Sequence, residues 1–202
     1  MNIESFGNKE ALASATSIID IRPHDSILLA QASDIYDVSL GQKYIPPEDL
    51  LRYANAPSEY ILIGSTIEDK LLGVMLAFPL DEKTAKECND AFKKHNIPFE
   101  LPRLSVGVIK SVSVHPEYRH RGIGTRLTLE AMRRLRQMSC GLFLAIAWDS
   151  GKVESSPKMF EKLGYKSLLD IPEYWYEDSI KEGYQCPNCG NPCHCKAIFY
   201  FK

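Results

Sequence analysis

The stretch "VSVHPEYRHRGIGTRL", residues 112–127, changes its periodicity halfway along, and that change decides the fold. Up to Val114 the valines recur at every second residue, the period of a strand. Pro116 stops the ladder, because it has no N–H to donate. From Gly122 onward Ile123, Leu127, Ala131, Leu135 and Met138 recur at helical spacing, with Arg126, Glu130, Arg133 and Arg134 on the other side. A strand that turns so abruptly into a helix leaves the first N–H groups of that helix unpaired at its positive end. Gly122 and Gly124 carry no Cβ to keep an anion away from them, and Arg119, Arg121 and Arg126 add full charges around the same point. This is how a phosphate site is built. It is not a dinucleotide fingerprint, since Leu127 stands where the third glycine belongs.

Working outward, "LSVGVIKSVSVHP" (104–116) reads as one strand. Val106, Val108, Val112 and Val114 are expected on one face, with Ser105, Gly107, Ile109, Ser111, Ser113 and His115 opposite. Lys110 interrupts the valine face, through either a bulge or a snorkelling stem. Upstream, "TSIIDIRP" (16–23) is a short strand and "HDSILLAQASDIYDVSL" (24–40) a helix with Asp25 as N-cap. "PPEDLLRYANA" (46–56) is a helix opened by proline, and 59–80 a hairpin turning near Glu68 to Lys70. A charged helix follows as an insertion at about 82–97. Downstream, "GLFLAIAW" (141–148) is a buried strand and "SSPKMFEKLGY" (155–165) a short helix with Gly164 just past its end. "KSLLDI" (166–171) and "AIFYFK" (197–202) close the sheet. Strand, helix and strand in the middle predict a parallel pair in a mixed α/β sheet.

Composition narrows the function. The chain has 202 residues, 45% hydrophobic and 25% charged, enough for a sizeable core. A formal net charge of −2 argues against nucleic-acid binding, so the local basic cluster calls for a small anionic ligand. No apolar run is long enough to span a membrane, and "MNIESFGNKEALASATS" lacks the pattern of a signal peptide. The expectation is a cytoplasmic protein with no nucleic-acid or membrane partner; whether it forms a homodimer is left open.

With these elements in order, "VSVHPEYRHRGIGTRL" resembles the acetyl-CoA-binding motif of the GNAT superfamily of N-acetyltransferases, V-x-P-x-x-R-x-x-G-x-G, through Val114, Pro116, Arg119, Gly122 and Gly124. "MFEKLGY" (159–165) resembles the family's helix before the sixth strand. The resemblance covers roughly residues 16 to 170 and the last strand, in the order of elements expected of such a fold. It implies a GNAT-like mixed central sheet with flanking helices, as one domain over 1–202. It also implies that the backbone of Val112, Ser113 and Val114 pairs with the pantetheine arm of acetyl-CoA. The amides of Arg119, His120, Arg121, Gly122, Ile123, Gly124 and Thr125 would cradle the pyrophosphate. The end of the 141–148 strand would splay from its neighbour where the thioester enters, and the outward arginines of the helix would attract the 3′-phosphate. The implied activity is direct transfer of an acetyl group to an amine, on a small molecule or a protein.

Two positions depart from that pattern. Phe160 stands where many members carry a tyrosine that protonates the leaving thiolate, and Lys110 where they often carry a glutamate. The acid is then Tyr174 or Tyr176, a chain of water, or no dedicated group at all. The alternative is a non-catalytic acyl-CoA sensor that uses the cysteine loop for partner contacts. "LLDIPEYWYEDSIKEGY" (168–184) interleaves Tyr174, Trp175 and Tyr176 with Asp170, Glu173, Glu177 and Asp178, a mixture that suits a cationic amine, with Glu173 as a candidate catalytic residue. The plainer reading is a connection whose aromatics cover the core.

Four of the six cysteines crowd into "CPNCGNPCHC" (186–195). Cys186, Cys189, Cys193 and Cys195 have the spacing of a zinc knuckle, closed and structural because four thiolates fill a tetrahedral ion's shell. His194 in place of one cysteine, an iron–sulfur centre, and disulfides in an oxidising compartment are the alternatives. The loop, 184–196, precedes the last strand and would pin it to the sheet.

Overall fold

The computed structural model describes residues 15–94, 99–101, 106–151 and 156–202. Its elements are β1 (Ser17–Asp20), α1 (Ser26–Leu40), α2 (Pro47–Asn55), β2 (Ile61–Ile67), β3 (Lys70–Pro79) and α3 (Glu82–Lys94), then β4 (Val106–Val114), α4 (Ile123–Gln137), β5 (Leu142–Asp149), α5 (Pro157–Lys162), β6 (Lys166–Ile171), α6 (Tyr176–Glu182) and β7 (Lys196–Phe201). A 3₁₀ turn, Pro116–Tyr118, joins β4 to α4. The seven strands form one sheet in the order β1-β2-β3-β4-β5-β7-β6, antiparallel except for the β4–β5 pair. The expectations for the N-terminal 17 residues up to residue 14, for 95–97 and for 104–105 lie outside the described residues. Among the described residues no helix is long and apolar enough to cross a membrane.

Local chemistry sets the ends of these elements. Asp25 takes the N-cap position of α1, although its carboxylate accepts the N–H of Arg22 at 2.8 Å rather than one inside the helix. Gly164, at φ 79°, ends α5 in a Schellman turn: Gly164 N–H donates to Glu161 C=O at 2.9 Å and Tyr165 N–H to Phe160 C=O at 3.0 Å. The ring of Tyr165 then packs edge-on against Phe160, centroids 5.2 Å apart. A helix, α6, lies inside the stretch read from sequence as a connection.

The sheet buries both faces. On one, Ile123, Leu127, Ala131 and Leu135 of α4 pack with Phe160 against Met75, Ile109 and Ala145. On the other, α1 and α2 cover the first half, and Phe92 of α3, Trp175 and the cysteine loop cover the second. At Gly107 α4 comes close to the sheet, since a Cβ there would sit 2.7 Å from Cδ1 of Leu135.

The four valines of β4 do not share a face. Ala77 pairs with Ile109 and Leu76 with Ser111, which leaves Lys110 without a partner on β3 as the extra residue of a β-bulge. One added residue reverses the parity of everything after it. Val106 and Val108 therefore lie in the core with Trp175 and the cysteine loop, whereas Val112 and Val114 pack on the α4 side. Of the two readings of Lys110, the bulge is the one realised.

The polar side of α4 is tied to the sheet. Glu130 accepts from Arg133 at 2.7 and 2.8 Å and from Arg134 at 2.7 Å, and Arg134 also pairs with Asp20 of β1. The Arg133 hydrogen bonds, opposed by partial burial and reinforced by Arg134, hold the Glu130 carboxyl down at about 2. A carboxyl lowered on folding stabilises the native state above its unfolded value near 4.5 and loses that contribution as pH falls toward 2. Glu130→Gln should lower Tm by about 2–4 °C at pH 7, as expected for roughly 1 kcal/mol in a chain of this size. Thermal melts from pH 7 to 2 should show that difference shrinking below about pH 4.5.

Candidate active site

The parallel pairing of β4 and β5 runs only from Val106–Leu142 to Ile109–Ala145. Beyond it β4 stays bonded to β3 as far as Val114, and β5 stays bonded to β7 as far as Asp149. The two strands thus part at the Lys110 bulge, and a cleft of about 560 Å³ opens between them. That volume is within the ~300–1,000 Å³ usual for ligand sites.

One end of the cleft is the glycine turn. The first hydrogen bond of α4 runs from Arg126 N–H to Gly122 C=O at 3.0 Å, which leaves the amides just before Arg126 without intrahelical acceptors. Gly122 caps the helix in the left-handed region at φ 81°, where a side chain would be strained. Gly124 faces the strand edge: a Cβ there would stand 3.6 and 3.7 Å from the Cγ2 atoms of Val114 and Val112. Ser113 lines the cleft, and its Oγ is buried with no hydrogen-bond partner among the described residues. An orphaned hydroxyl, unpaired amides and an open strand edge together fit a ligand that is both phosphate-bearing and amide-bearing.

Of the sequence candidates for this half, Val112, Ser113, Val114, Arg119, His120, Gly122, Ile123, Gly124 and Thr125 all line the cleft. Arg121 does not; its guanidinium lies 6.0 Å over the Tyr118 ring. Arg119 is occupied twice over. Its amide donates to Pro116 C=O at 3.3 Å, and its side chain to Val114 C=O at 3.1 Å and Ser39 Oγ at 3.2 Å. It clamps the turn onto β4 and α1, a positioning task. The outward arginines of α4 are likewise committed, Arg126 to Thr16 Oγ1 at 2.8 Å and the others to Glu130 and Asp20. Among the described residues, Lys158 and Lys162 of α5, like Lys110, line the cleft with no carboxylate partner. Their separation by one helical turn was visible in "PKMFEK", but only the fold brings them beside the glycine turn.

The other end is walled by Tyr44, Lys110, Trp175 and Tyr184, with Cys186 and Cys193 behind them. The Tyr44 and Tyr184 rings meet edge-on at 5.5 Å. Burial pushes the Tyr184 hydroxyl well above its usual range, and a hydrogen bond to Cys193 adds to that. Phe160 also lines the cleft, buried between the rings of Tyr165 and Tyr200. Tyr165 is not a cleft residue, and burial raises its hydroxyl.

The residues named from the acidic-aromatic stretch fall elsewhere. Tyr174 packs against Trp175 and Phe199, Tyr176 faces His194 at 5.4 Å, and Glu173 accepts from or pairs with His194 Nδ1 at 2.6 Å. None of the three lines the cleft. A turn at Glu173, φ 52°, followed by α6 sends alternate residues in different directions, so that Trp175 faces inward and its neighbours do not. Asp170 is paired with Lys196 at 2.8 Å.

The four loop cysteines are brought together as expected. Their Sγ atoms all lie within 4.8 Å of one another, with close pairs Cys189–Cys195 at 3.6 Å, Cys186–Cys195 at 3.7 Å and Cys189–Cys193 at 3.8 Å. A tetrahedron of thiolates ~2.3 Å from a central zinc has edges of about 3.8 Å. A disulfide needs sulfurs about 2.05 Å apart, which these are not. The gap holds one ion and leaves no room for a multi-iron cluster. Cys189 Sγ accepts the His194 N–H at 3.2 Å, a contact that favours thiolate, while the His194 ring turns away to Glu173. Burial pushes the Cys186 and Cys195 thiols up, and a cation beside them would favour their thiolates. The residues fit a closed, structural zinc site.

Comparison with known proteins agrees with this geometry. No curated protein matches the sequence. Among solved structures, Arabidopsis thaliana NAA60 in complex with acetyl-CoA superposes with a TM-score of 0.66 at 14% identity, covering 93% of this chain and 97% of that one. An aminoglycoside 6′-acetyltransferase type Ii gives 0.60 at 18% identity, over 92% and 96% of the two chains. The Drosophila melanogaster polyamine N-acetyltransferase, which forms N-acetylagmatine, gives 0.60 at 15%, over 93% and 99%. At these identities the likeness is one of fold. The sequence pattern of the acetyltransferase (GNAT) family itself matches residues 29–165, from within α1 to the end of the α5 turn, and the chain accordingly belongs to the GNAT acetyltransferases.

Proposed function

We propose that the protein binds acetyl-CoA along the β4 edge and transfers its acetyl group directly to an amine that enters from the Tyr44 side. The observation that carries this reading is the parting of β4 and β5 beyond Ile109 and Ala145, continuous with a glycine turn whose amides lack partners. The pantetheine amides pair with Val112 and Val114 as an added strand, with Ser113 Oγ available to a polar atom of the arm. The amides of Gly122, Ile123, Gly124 and Thr125 hold the pyrophosphate, with Lys158 and Lys162 adding charge. The thioester then lies where the strands separate. The neutral amine attacks the carbonyl carbon, the C–S bond breaks, and the nitrogen gives up its proton. Phe160 has no proton for the departing thiolate, so water in the cleft supplies it.

The whole chain acts as one domain. The cysteine loop holds a structural zinc ion that fixes β7 and the cleft wall. Phe160 also favours a second reading, a sensor that binds acetyl-CoA without turnover. Calorimetry with acetyl-CoA and mass spectrometry of an amine panel test both. Acetyl-CoA should bind within the ~1 µM–1 mM range usual for enzyme substrates, and at least one amine should gain an acetyl group. Binding without transfer to any amine supports the sensor; no binding at about 1 mM overturns both readings.

A further inference from the structure

We propose that Lys110 is a recognition site for a carboxylate on the acceptor, which makes the acceptor a small amino acid-like molecule whose amine and acid lie close together. The inference rests on the acetyltransferase reading above and assigns the substrate class of that site. Four observations carry it. First, the β-bulge places Lys110 where β4 and β5 part, so that its exposed side chain lines the cleft instead of the valine face. Second, among the described residues Lys110 has no carboxylate partner, and its ammonium sits 5.8 Å from the Tyr44 ring centroid. Third, no aspartate or glutamate is among the described residues that line the cleft. A polyamine or aminoglycoside would meet a lysine there and nothing to neutralise its own charge, an arrangement that costs affinity. Fourth, of the carboxylates that the sequence offers for a cationic acceptor, Glu173 is paired with His194 and Asp170 with Lys196, and neither Glu177 nor Asp178 lines the cleft.

Lys110 is not placed for the cofactor's phosphates. Four steps along the strand separate it from Val114, roughly 13 Å at ~3.3 Å per residue, and the glycine turn lies further on. The aromatic surfaces of Tyr44, Trp175 and Tyr184 around it give the acceptor an apolar wall and a single fixed cation. A molecule with one carboxylate a few ångströms from its amine bonds the ammonium and presents its nitrogen toward the strand gap. The carboxylate could belong to a free amino acid or to an acidic residue at a peptide N-terminus; the cleft's size favours the free molecule.

The test uses the full chain with acetyl-CoA and matched acceptors: the free L-amino acids, their carboxamides, acidic dipeptides, spermidine and an aminoglycoside, with products read by mass spectrometry. The wild type should acetylate at least one amino acid about ten- to hundredfold better in kcat/KM than its carboxamide, as expected for one charge-assisted contact. Lys110→Met should erase most of that ratio through KM, Lys110→Arg should keep it, and both should bind acetyl-CoA as the wild type does. Preference for the dipeptides would move the source from free amino acid to peptide terminus and leave the carboxylate in place. Preference for spermidine or the aminoglycoside, turnover of no carboxylate, or an unchanged ratio in Lys110→Met overturns the proposal. Loss of acetyl-CoA binding in the wild type would instead sink the acetyltransferase reading beneath it.

Discussion

Cys193→Ala should lower Tm by about 10 °C and abolish zinc retention, while acetyl-CoA affinity stays within about twofold of wild type. Cys193 is 1% exposed, in the core beneath the second half of the sheet, and its N–H donates to the buried Ser179 Oγ at 2.8 Å. A structural zinc site contributes roughly 10–16 kcal/mol in small isolated modules, and losing one of four thiolates removes several kcal/mol of that. At ~2–4 °C per kcal/mol for a chain of this size, a loss of ~3 kcal/mol gives the stated shift. The glycine turn lies at the far end of the cleft from Cys193, which is why the cofactor should be little affected. The acceptor end should suffer, because Cys186, Cys193 and Tyr184 form its back wall. Elemental analysis of purified protein, differential scanning calorimetry and calorimetric titration with acetyl-CoA measure the three effects separately. Wild-type protein with far less than about one equivalent of zinc, and with the same Tm as the variant, would falsify the metal assignment.

Gly124→Asp should separate folding from cofactor binding by moving them in opposite directions. An aspartate in the first turn of a helix is favourable toward the helix's positive end, by about 0.3–1 kcal/mol, and glycine is a poor helix residue to begin with. The space exists, since a Cβ at position 124 meets its nearest neighbour, Met159 Sδ, at 3.4 Å. Tm should therefore hold or rise. The same carboxylate would lie against the pyrophosphate, where like charges ~4 Å apart at an effective dielectric of ~20 repel by about 4 kcal/mol. Acetyl-CoA affinity should fall at least about a hundredfold, which is ~2.7 kcal/mol. If titration finds the affinity unchanged, the turn does not hold the phosphates. Gly124→Ala is the uncharged control, expected to show a smaller loss.

The parts of the fold legible in the sequence were those set by neighbours along the chain. The switch from period two to helical spacing across residues 112–127 placed the end of β4 within two residues and the ends of α4 within one. The cysteine spacing likewise foretold a cluster, because ligands within ten residues can hardly be brought together in many ways. The valine face of β4 failed for a related reason. A bulge is a property of two paired strands, decided by how Leu76 and Ala77 of β3 meet Ser111 and Ile109. One strand's alternation does not reveal it, beyond the hint that Lys110 interrupts the apolar pattern.

The acceptor side shows the same division more sharply. Tyr174, Tyr176 and Glu173 were attractive by composition, yet the turn at Glu173 and the start of α6 send them away from the cleft. Tyr44 and Tyr184 lie 140 positions apart in sequence and 5.5 Å apart in space, and no local pattern marks either. The roles of the arginines are not legible locally because a guanidinium's partners are tertiary: Arg119 bonds Val114 and Ser39, and Arg126 bonds Thr16.

By itself the sequence determined the strand, glycine turn and helix start that we propose hold the donor, because a run of backbone amides is built by contiguous residues. It also determined the cysteine knuckle, for the same reason of contiguity. Only the tertiary structure decided where the strands part, which side chains wall the opening, and that a lysine on a bulge stands at its mouth. Those facts come from pairing and packing between segments distant in the chain, and the forces that set them act through space.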